Sequence, residues 1–281
     1  MDILNLIDGL EARAAEAIKA KQGDYYGEDD GLLYCGKCGT RKQTRVEILG
    51  RVRTPFCLCK CEVEKRDREE AERQRIKYAA RLKEMRRVGF PDDEMQNWTF
   101  DKDDGANEHV TNVARKYVEN FDVMRDAGKG LLFYGTVGTG KTFAAACIAN
   151  ALIDKGFPCL VTNFARLINT IQGMYDGKQE YIDGLNRFAL LVIDDLATEA
   201  DTEYRNEIVF NIIDSRYRAG LPLIVTTNLT AQELKQSADI RKQRIYSRLF
   251  ESCMPLEVKG VDRRRDKLKD DYKTYSEMLG L

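Results

Sequence analysis

Eight residues, GTVGTGKT from Gly135 to Thr142, place one ammonium and one hydroxyl behind a glycine-rich turn. They fit G-x-x-x-x-G-K-[ST] at every fixed position, the pattern of a loop that wraps phosphate groups. Gly135, Gly138 and Gly140 let backbone N–H groups turn inward, and Thr136, Val137 and Thr139 add theirs to the same cradle. Lys141 brings a point charge to the β- and γ-phosphates. The Thr142 hydroxyl is a Mg²⁺ ligand, and the helix that starts there aims its positive end at the anion. The predicted ligand is a nucleoside triphosphate.

A second group of chemistry-bearing residues follows about fifty positions later, in LLVIDD (190–195). Four apolar residues bury a strand, and two carboxylates emerge at its end. Asp194 is expected to hold Mg²⁺ through water, and Asp195 to polarise the attacking water. LIVTTN closes on Asn228, a polar residue placed to orient that water or sense the γ-phosphate. NLTAQEL also reads as a helix start at Thr230, with Glu233 completing a capping box.

The third group is sulfur. Five of the eight cysteines fall in CGKC (35–38) and CLCKC (57–61), two close sets about eighteen residues apart. This spacing suits a tetrahedral Zn²⁺ site, and a cytosolic chain does not normally keep structural disulfides. Four ligands suffice, so Cys35 and Cys38 are expected to pair with Cys59 and Cys61, with Cys57 in reserve. Lys37, Arg41, Lys42 and Lys60 would offset the charge of four thiolates. Cys147, Cys159 and Cys253 sit in apolar surroundings and read as small buried hydrophobes.

The elements that must position these groups are legible as zones. Residues 1–61 comprise an N-terminal amphipathic helix (1–22) and the cysteine module; 62–91 form a charged connector; 92–281 form the nucleotide-binding domain. Stretch 62–88 is roughly two-thirds charged, with no Gly or Pro, and predicts a long solvated helix laced with i,i+4 pairs. In the last zone, apolar runs at 130–135, 158–163, 190–195, 222–228 and 254–258 predict buried strands. Helical patterns at 141–155, 164–174, 203–219, 231–236 and 241–250 separate them. Such alternation predicts a parallel sheet with helices on both faces and a ligand beyond the carboxyl ends of the strands.

The order phosphate loop, VIDDLA, VTTNLT, then RIYSRLFE resembles the AAA+ ATPases of the DnaC/IstB type, over about residues 95–268. That family comprises replicative helicase loaders and transposition helper ATPases. The resemblance implies an α/β fold: an AAA+ P-loop parallel five-stranded sheet with flanking helices, here behind a zinc module and a charged helix. It implies ATP as the nucleotide, hydrolysed to ADP and phosphate. Arg248 matches the arginine that acts as a finger on ATP held by the neighbouring subunit, so self-association through the ATP site is implied. A second sensor arginine is matched best by Arg264, with Arg263 and Arg265 adjacent. Many AAA+ motors carry Glu where this chain has Asp195, which implies slow hydrolysis stimulated by a partner or DNA. Implied partners are a replicative hexameric helicase, met through the zinc-bearing region, and single-stranded DNA. The alternative within the resemblance is an IstB-like helper that serves a transposase on DNA.

The rest of the chain sets bounds. A net charge of −1 leaves nucleic-acid binding to local basic surfaces, and 281 residues suffice for a large core. No apolar run approaches the ~20 residues of a membrane span, and Asp2 and Asp8 stand where a signal peptide would be basic; the expected location is the cytoplasm. Segment 163–188 offers Arg166, Lys178 and Arg187 for phosphates and Tyr175 or Tyr181 for stacking, or is a plain amphipathic helix. His109, the single histidine, lies in polar GANEHV, so no Ser-His-Asp set is available. Trp98 and Phe100 pack against the core or line an adenine pocket. A small-molecule kinase leaves Asn228 and the later arginines unexplained; an adaptor that binds ATP without turnover is the other class to separate.

Overall fold

The computed structural model describes residues 20–48, 50–196, 202–236, 239–263, 272, 275–276 and 278–279. The expected N-terminal helix therefore lies almost wholly outside the described residues. Two compact units are present, Met1–Ala79 and Ala80–Leu281.

In the first unit two short antiparallel pairs frame the cysteines: β1 (Tyr25–Tyr26) with β2 (Leu33–Tyr34), and β3 (Val46–Ile48) with β4 (Arg51–Arg53). A 30-residue helix, Lys60–Gly89, begins directly after Cys59, whose carbonyl accepts the N–H groups of Glu62 and Val63 at 3.0 Å. Residues 64–81 of this helix are exposed throughout. Lys65 pairs with Glu69 and Arg75 with Glu72, the intrahelical ion pairing that its composition predicts.

The second unit is built on five parallel strands: β5 (Gly130–Tyr134), β6 (Cys159–Asn163), β7 (Leu190–Leu196), β8 (Leu223–Thr227) and β9 (Cys253–Glu257). Their order is β6-β7-β8-β5-β9. Each strand coincides with one of the predicted apolar runs. Alternate residues point to opposite faces, so Leu131, Phe133, Leu190, Val192 and Ile224 enter one core while Leu132, Leu191, Ile193, Leu223 and Val225 enter the other. Both faces are covered, which is why these strands read as unbroken apolar runs rather than alternating ones.

The first core packs under Lys141–Asp154 and Glu108–Glu119; the second packs under Phe164–Gln172, Glu203–Arg218 and Ile240–Ser252. Glu108–Glu119 and the short Phe121–Asp126 fall in a stretch for which the sequence reading assigned no elements. Their apolar residues Val110, Ala114, Tyr117, Val118 and Phe121 recur at helical spacing, and the Asn107 side chain caps the start by accepting from the Val110 N–H.

Two buried polar side chains join the layers. Arg216, 1% exposed, donates to the carbonyls of Pro222 (2.9 and 3.1 Å) and Ala189 (3.1 Å), tying together the entries to β8 and β7. Asn150, on the helix that follows the phosphate loop, donates through Nδ2 to the carbonyls of Met95 and Trp98, both at 2.9 Å. That contact fixes segment 95–98 against the helix. Asn150→Ala removes the donor from the Trp98 carbonyl and one of two donors from the Met95 carbonyl, and is expected to lower unfolding free energy by about 1–3 kcal/mol in urea titration. An unchanged midpoint and slope would contradict the assignment.

Candidate functional site

The phosphate loop leaves β5 at the point where the strand order reverses, the crevice in which parallel α/β sheets bind ligands. Its turn depends on left-handed backbone: φ is 77° at Gly138 and 92° at Gly140. A Cβ on Gly138 would also lie 1.8 Å from Asp262 Oδ1, so space and conformation both demand glycine there. Lys141 is 6% exposed, and its Nζ donates to the carbonyls of Gly135 (2.9 Å) and Thr136 (2.7 Å).

The carboxylates are aimed by a break in the ladder. β7 and β8 pair Ile193 with Val225 and then Leu196 with Thr227, so Asp194 and Asp195 share the space opposite Thr226. This bulge turns Asp194 toward the loop and Asp195 toward solvent. The Thr142 hydroxyl donates to Asp194 Oδ1 and Oδ2 at 2.9 and 3.0 Å. The buried Thr226 hydroxyl also donates to Asp194 Oδ1 and accepts the Asp195 N–H at 3.0 Å. Asp195 has φ 57°, the single positive φ at a non-glycine among the described residues. Burial raises the Asp194 carboxyl above its ordinary value; the Thr226 hydroxyl opposes the shift, the Asp195 charge adds to it, and the Thr142 hydroxyl opposes it again.

A cavity of about 540 Å³ opens over these groups. Residues 137–143 form its floor, and Asp195, Asn228 and Arg263 reach it from other segments. Trp98, from the segment that Asn150 holds, and Lys102 and Asp104 beyond it complete the wall. The Trp98 and Phe143 rings lie 5.8 Å apart at the same mouth. Trp98 also packs on the first core. The Arg263 N–H donates to the Gly138 carbonyl (3.1 Å), and its Nη1 pairs with Asp104 Oδ1 (3.1 Å). Arg264 and Arg265 lie outside the described residues. Arg248 is not in this cavity; it sits on the helix Ile240–Ser252 against Asp214 and Tyr217.

In the first unit, Cys35, Cys38, Cys59 and Cys61 bring their sulfurs within 4.8 Å of one another. Cys61 lies 3.6 Å from Cys35 and 3.4 Å from both Cys59 and Cys38. Zinc–thiolate bonds of about 2.3 Å place tetrahedral sulfurs about 3.8 Å apart, so the set fits such an ion. Cys57 is turned away, its thiol at 3.6 Å from the Arg41 carbonyl. The Thr40 hydroxyl, 3.0 Å from Cys38, holds that thiol down at about 5, ready as a thiolate, while burial pushes the Cys59 thiol up. Of the four expected countercharges, Lys42 is the buried one. Its Nζ meets Asp24 at 2.7 Å and Glu62 at 3.7 Å, and Glu62 in turn accepts from the Cys59 N–H at 3.4 Å.

Residues 61–270, more than half of the chain, match the family model described as IstB-like ATP binding protein. The chain belongs to that family. It is 25% identical over 169 residues to the replicative helicase loader DnaI of Bacillus subtilis (strain 168), covering 56% of this chain and 53% of that protein. It is 29% identical over 125 residues to the replicative helicase loader DnaC of Escherichia coli (strain K12), covering 43% of this chain and 50% of that one. The chain thus spans about half the length of these relatives. A solved structure of DnaI superposes with a TM-score of 0.52 at 24% identity, over 64% of this chain and 98% of that one, a likeness of fold.

For this IstB-like chain the site residues that the sequence alone did not single out are Thr226, Asn150, Lys102, Asp104 and Phe143. Thr226 stood in plain view in VTTN, two residues before Asn228, but only the bulge reveals its task. Among the other candidates, Tyr175 is 97% exposed, whereas Tyr181 packs against the second core and the Arg187 guanidinium lies over Phe188. His109 is exposed, as expected.

A raised carboxyl pKa means that the folded chain holds the proton more tightly than the unfolded one. Stability from this group is present at low pH and lost as pH rises through the folded value. Asp194→Asn is therefore expected to melt above wild type at neutral pH without Mg²⁺, the gap closing as pH falls to the ordinary carboxylate range, and to lose Mg²⁺-dependent nucleotide affinity. A variant that melts lower at neutral pH contradicts this. For the thiols, Cys61→Ser is expected to lose zinc on dialysis and Cys57→Ser to retain it; the reverse pattern in metal analysis would reassign the ligands.

Proposed function

We propose that this chain is an ATP-hydrolysing loader that binds a replicative hexameric helicase and delivers it to single-stranded DNA. The observation that carries the chemical half is the joint of Thr142, Asp194 and Thr226 beneath the cavity, which suits a metal-bound triphosphate. The partner half is supported by the names of the relatives, both replicative helicase loaders.

In this reading ATP lies along the phosphate loop, with its base toward Trp98 and Phe143. Lys141 exchanges its loop carbonyls for the β- and γ-phosphate oxygens. Thr142 and Asp194 would hold Mg²⁺, which neutralises charge on the phosphates when bound. Asp195 accepts the hydrogen bond of the attacking water, and Asn228 orients that water or reads the γ-phosphate. Arg248 serves a neighbouring copy, and the sensor arginine is Arg264 or one of its neighbours Arg263 and Arg265; Arg263 lining the cavity supports it as a candidate. Residues 1–61 with their zinc site form the helicase-contacting module, 62–91 the connector and 92–281 the ATPase domain. The proposed location is the cytoplasm; no described helix is long and apolar enough to cross a membrane.

The test is capture of purified replicative helicase, and separately of a transposase, with ATP or ADP. Helicase capture that requires ATP and survives Asp195→Asn, which binds without hydrolysing, is the expected result. Capture of the transposase alone overturns the loader reading in favour of the helper.

A further inference from the structure

We propose that Asp214 and Tyr217 are positioning residues that hold Arg248 ready for the triphosphate of a second copy of this chain. The proposal rests on the reading of Arg248 as a trans-acting arginine and goes beyond it by naming what aims the side chain.

Arg248 lies on Ile240–Ser252, and its three neighbours constrain it from different sides. Asp214, on the facing helix Glu203–Arg218 and only 8% exposed, is ion-paired with Arg248, its Oδ1 3.3 Å from Nε, a charge contact without hydrogen-bond alignment. Its other oxygen takes Arg218 Nε at 2.7 Å, which fixes the carboxylate itself. The Tyr217 ring lies beneath the guanidinium, 4.3 Å from centroid to Cζ. Glu251, one turn along the same helix, meets Nη1 at 3.3 Å from the rim.

Together these contacts set the plane of the guanidinium and its rotation. With the Asp214 carboxylate beside Nε, the Tyr217 ring on one face and Glu251 on Nη1, Nη2 is the nitrogen left for a phosphate oxygen. The side chain keeps 35% exposure, so it is clamped but reachable. An arginine on a free stem would have to give up its rotamer freedom each time a second copy docked; a clamped one has already done so. The same residues do not line the chain's own nucleotide cavity, so in this reading the aimed nitrogen serves another copy's nucleotide.

The test uses the full-length chain with single-stranded DNA, at concentrations where copies associate. Asp214→Asn and Tyr217→Leu are expected to lower kcat for ATP hydrolysis about tenfold, with KM and nucleotide affinity essentially unchanged, because their own ATP sites are intact. Tyr217→Phe keeps the ring and is expected to keep kcat. Mixing either impaired variant with Asp195→Asn is expected to restore hydrolysis, since the Asp195→Asn copies supply a correctly held arginine in trans. A purely structural defect would not be rescued in this way. Wild-type kcat in both Asp214→Asn and Tyr217→Leu, or no rescue in the mixtures, overturns the clamp. Arg248→Ala separates the two levels: if it hydrolyses ATP at the wild-type rate, the trans reading itself fails. If it is impaired and rescued while the clamp variants behave as wild type, the clamp alone fails.

Discussion

The Thr226 hydroxyl is the joint on which the nucleotide site turns. It is buried at the centre of a parallel sheet, donates to Asp194 and accepts from the Asp195 backbone. Two residues of β7 must therefore fit opposite one of β8, and neighbouring carboxylates acquire different directions. One is taken into the interior, where desolvation opposes its charge and two hydroxyls offset part of that cost. The other is pushed out on a left-handed backbone. Asp tolerates that conformation better than most residues, because its short side chain can satisfy itself locally, so the structure gives a local reason for Asp rather than Glu at 195.

The two units solve the problem of stability by different means. The sheet of the second unit has an apolar core on each face and needs no ligand to hold its layers together. In the first unit the buried described residues are few: Leu32, Leu33, Cys35 and Cys59, with the charged Lys42 among them. A module of that size does not bury enough apolar surface to fold on packing alone, and such modules rely on a staple. The four sulfurs stand where such a staple belongs.

The sheet and the phosphate loop were legible because both obey local rules. A doubly covered strand must be apolar along its length, and a phosphate cradle must have glycine at fixed steps. Asp194, Asp195 and Asn228 followed from strand ends. What local rules could not reach was the meeting of distant segments. Asn150 holds Trp98 at the cavity and Arg263 pairs with Asp104 there, over separations that no periodicity encodes. The helix Glu108–Glu119 escaped because its apolar residues are diluted by polar neighbours. The cysteine choice was open for a similar reason. The Cys57 N–H donates to the Lys42 carbonyl beside the isolated bridge between Gln43 and Phe56, while its thiol lies at the Arg41 carbonyl, and only the backbone pairing reveals this.

Trp98 is the only tryptophan in the chain, and it stands at the mouth of the nucleotide cavity, against Phe143. All indole emission from this protein therefore originates at the wall of that cavity. Occupancy of the cavity can be followed by ultraviolet fluorescence in the unlabelled chain, including inside a larger assembly whose other members lack tryptophan. The same residue that walls the cavity is its optical gauge.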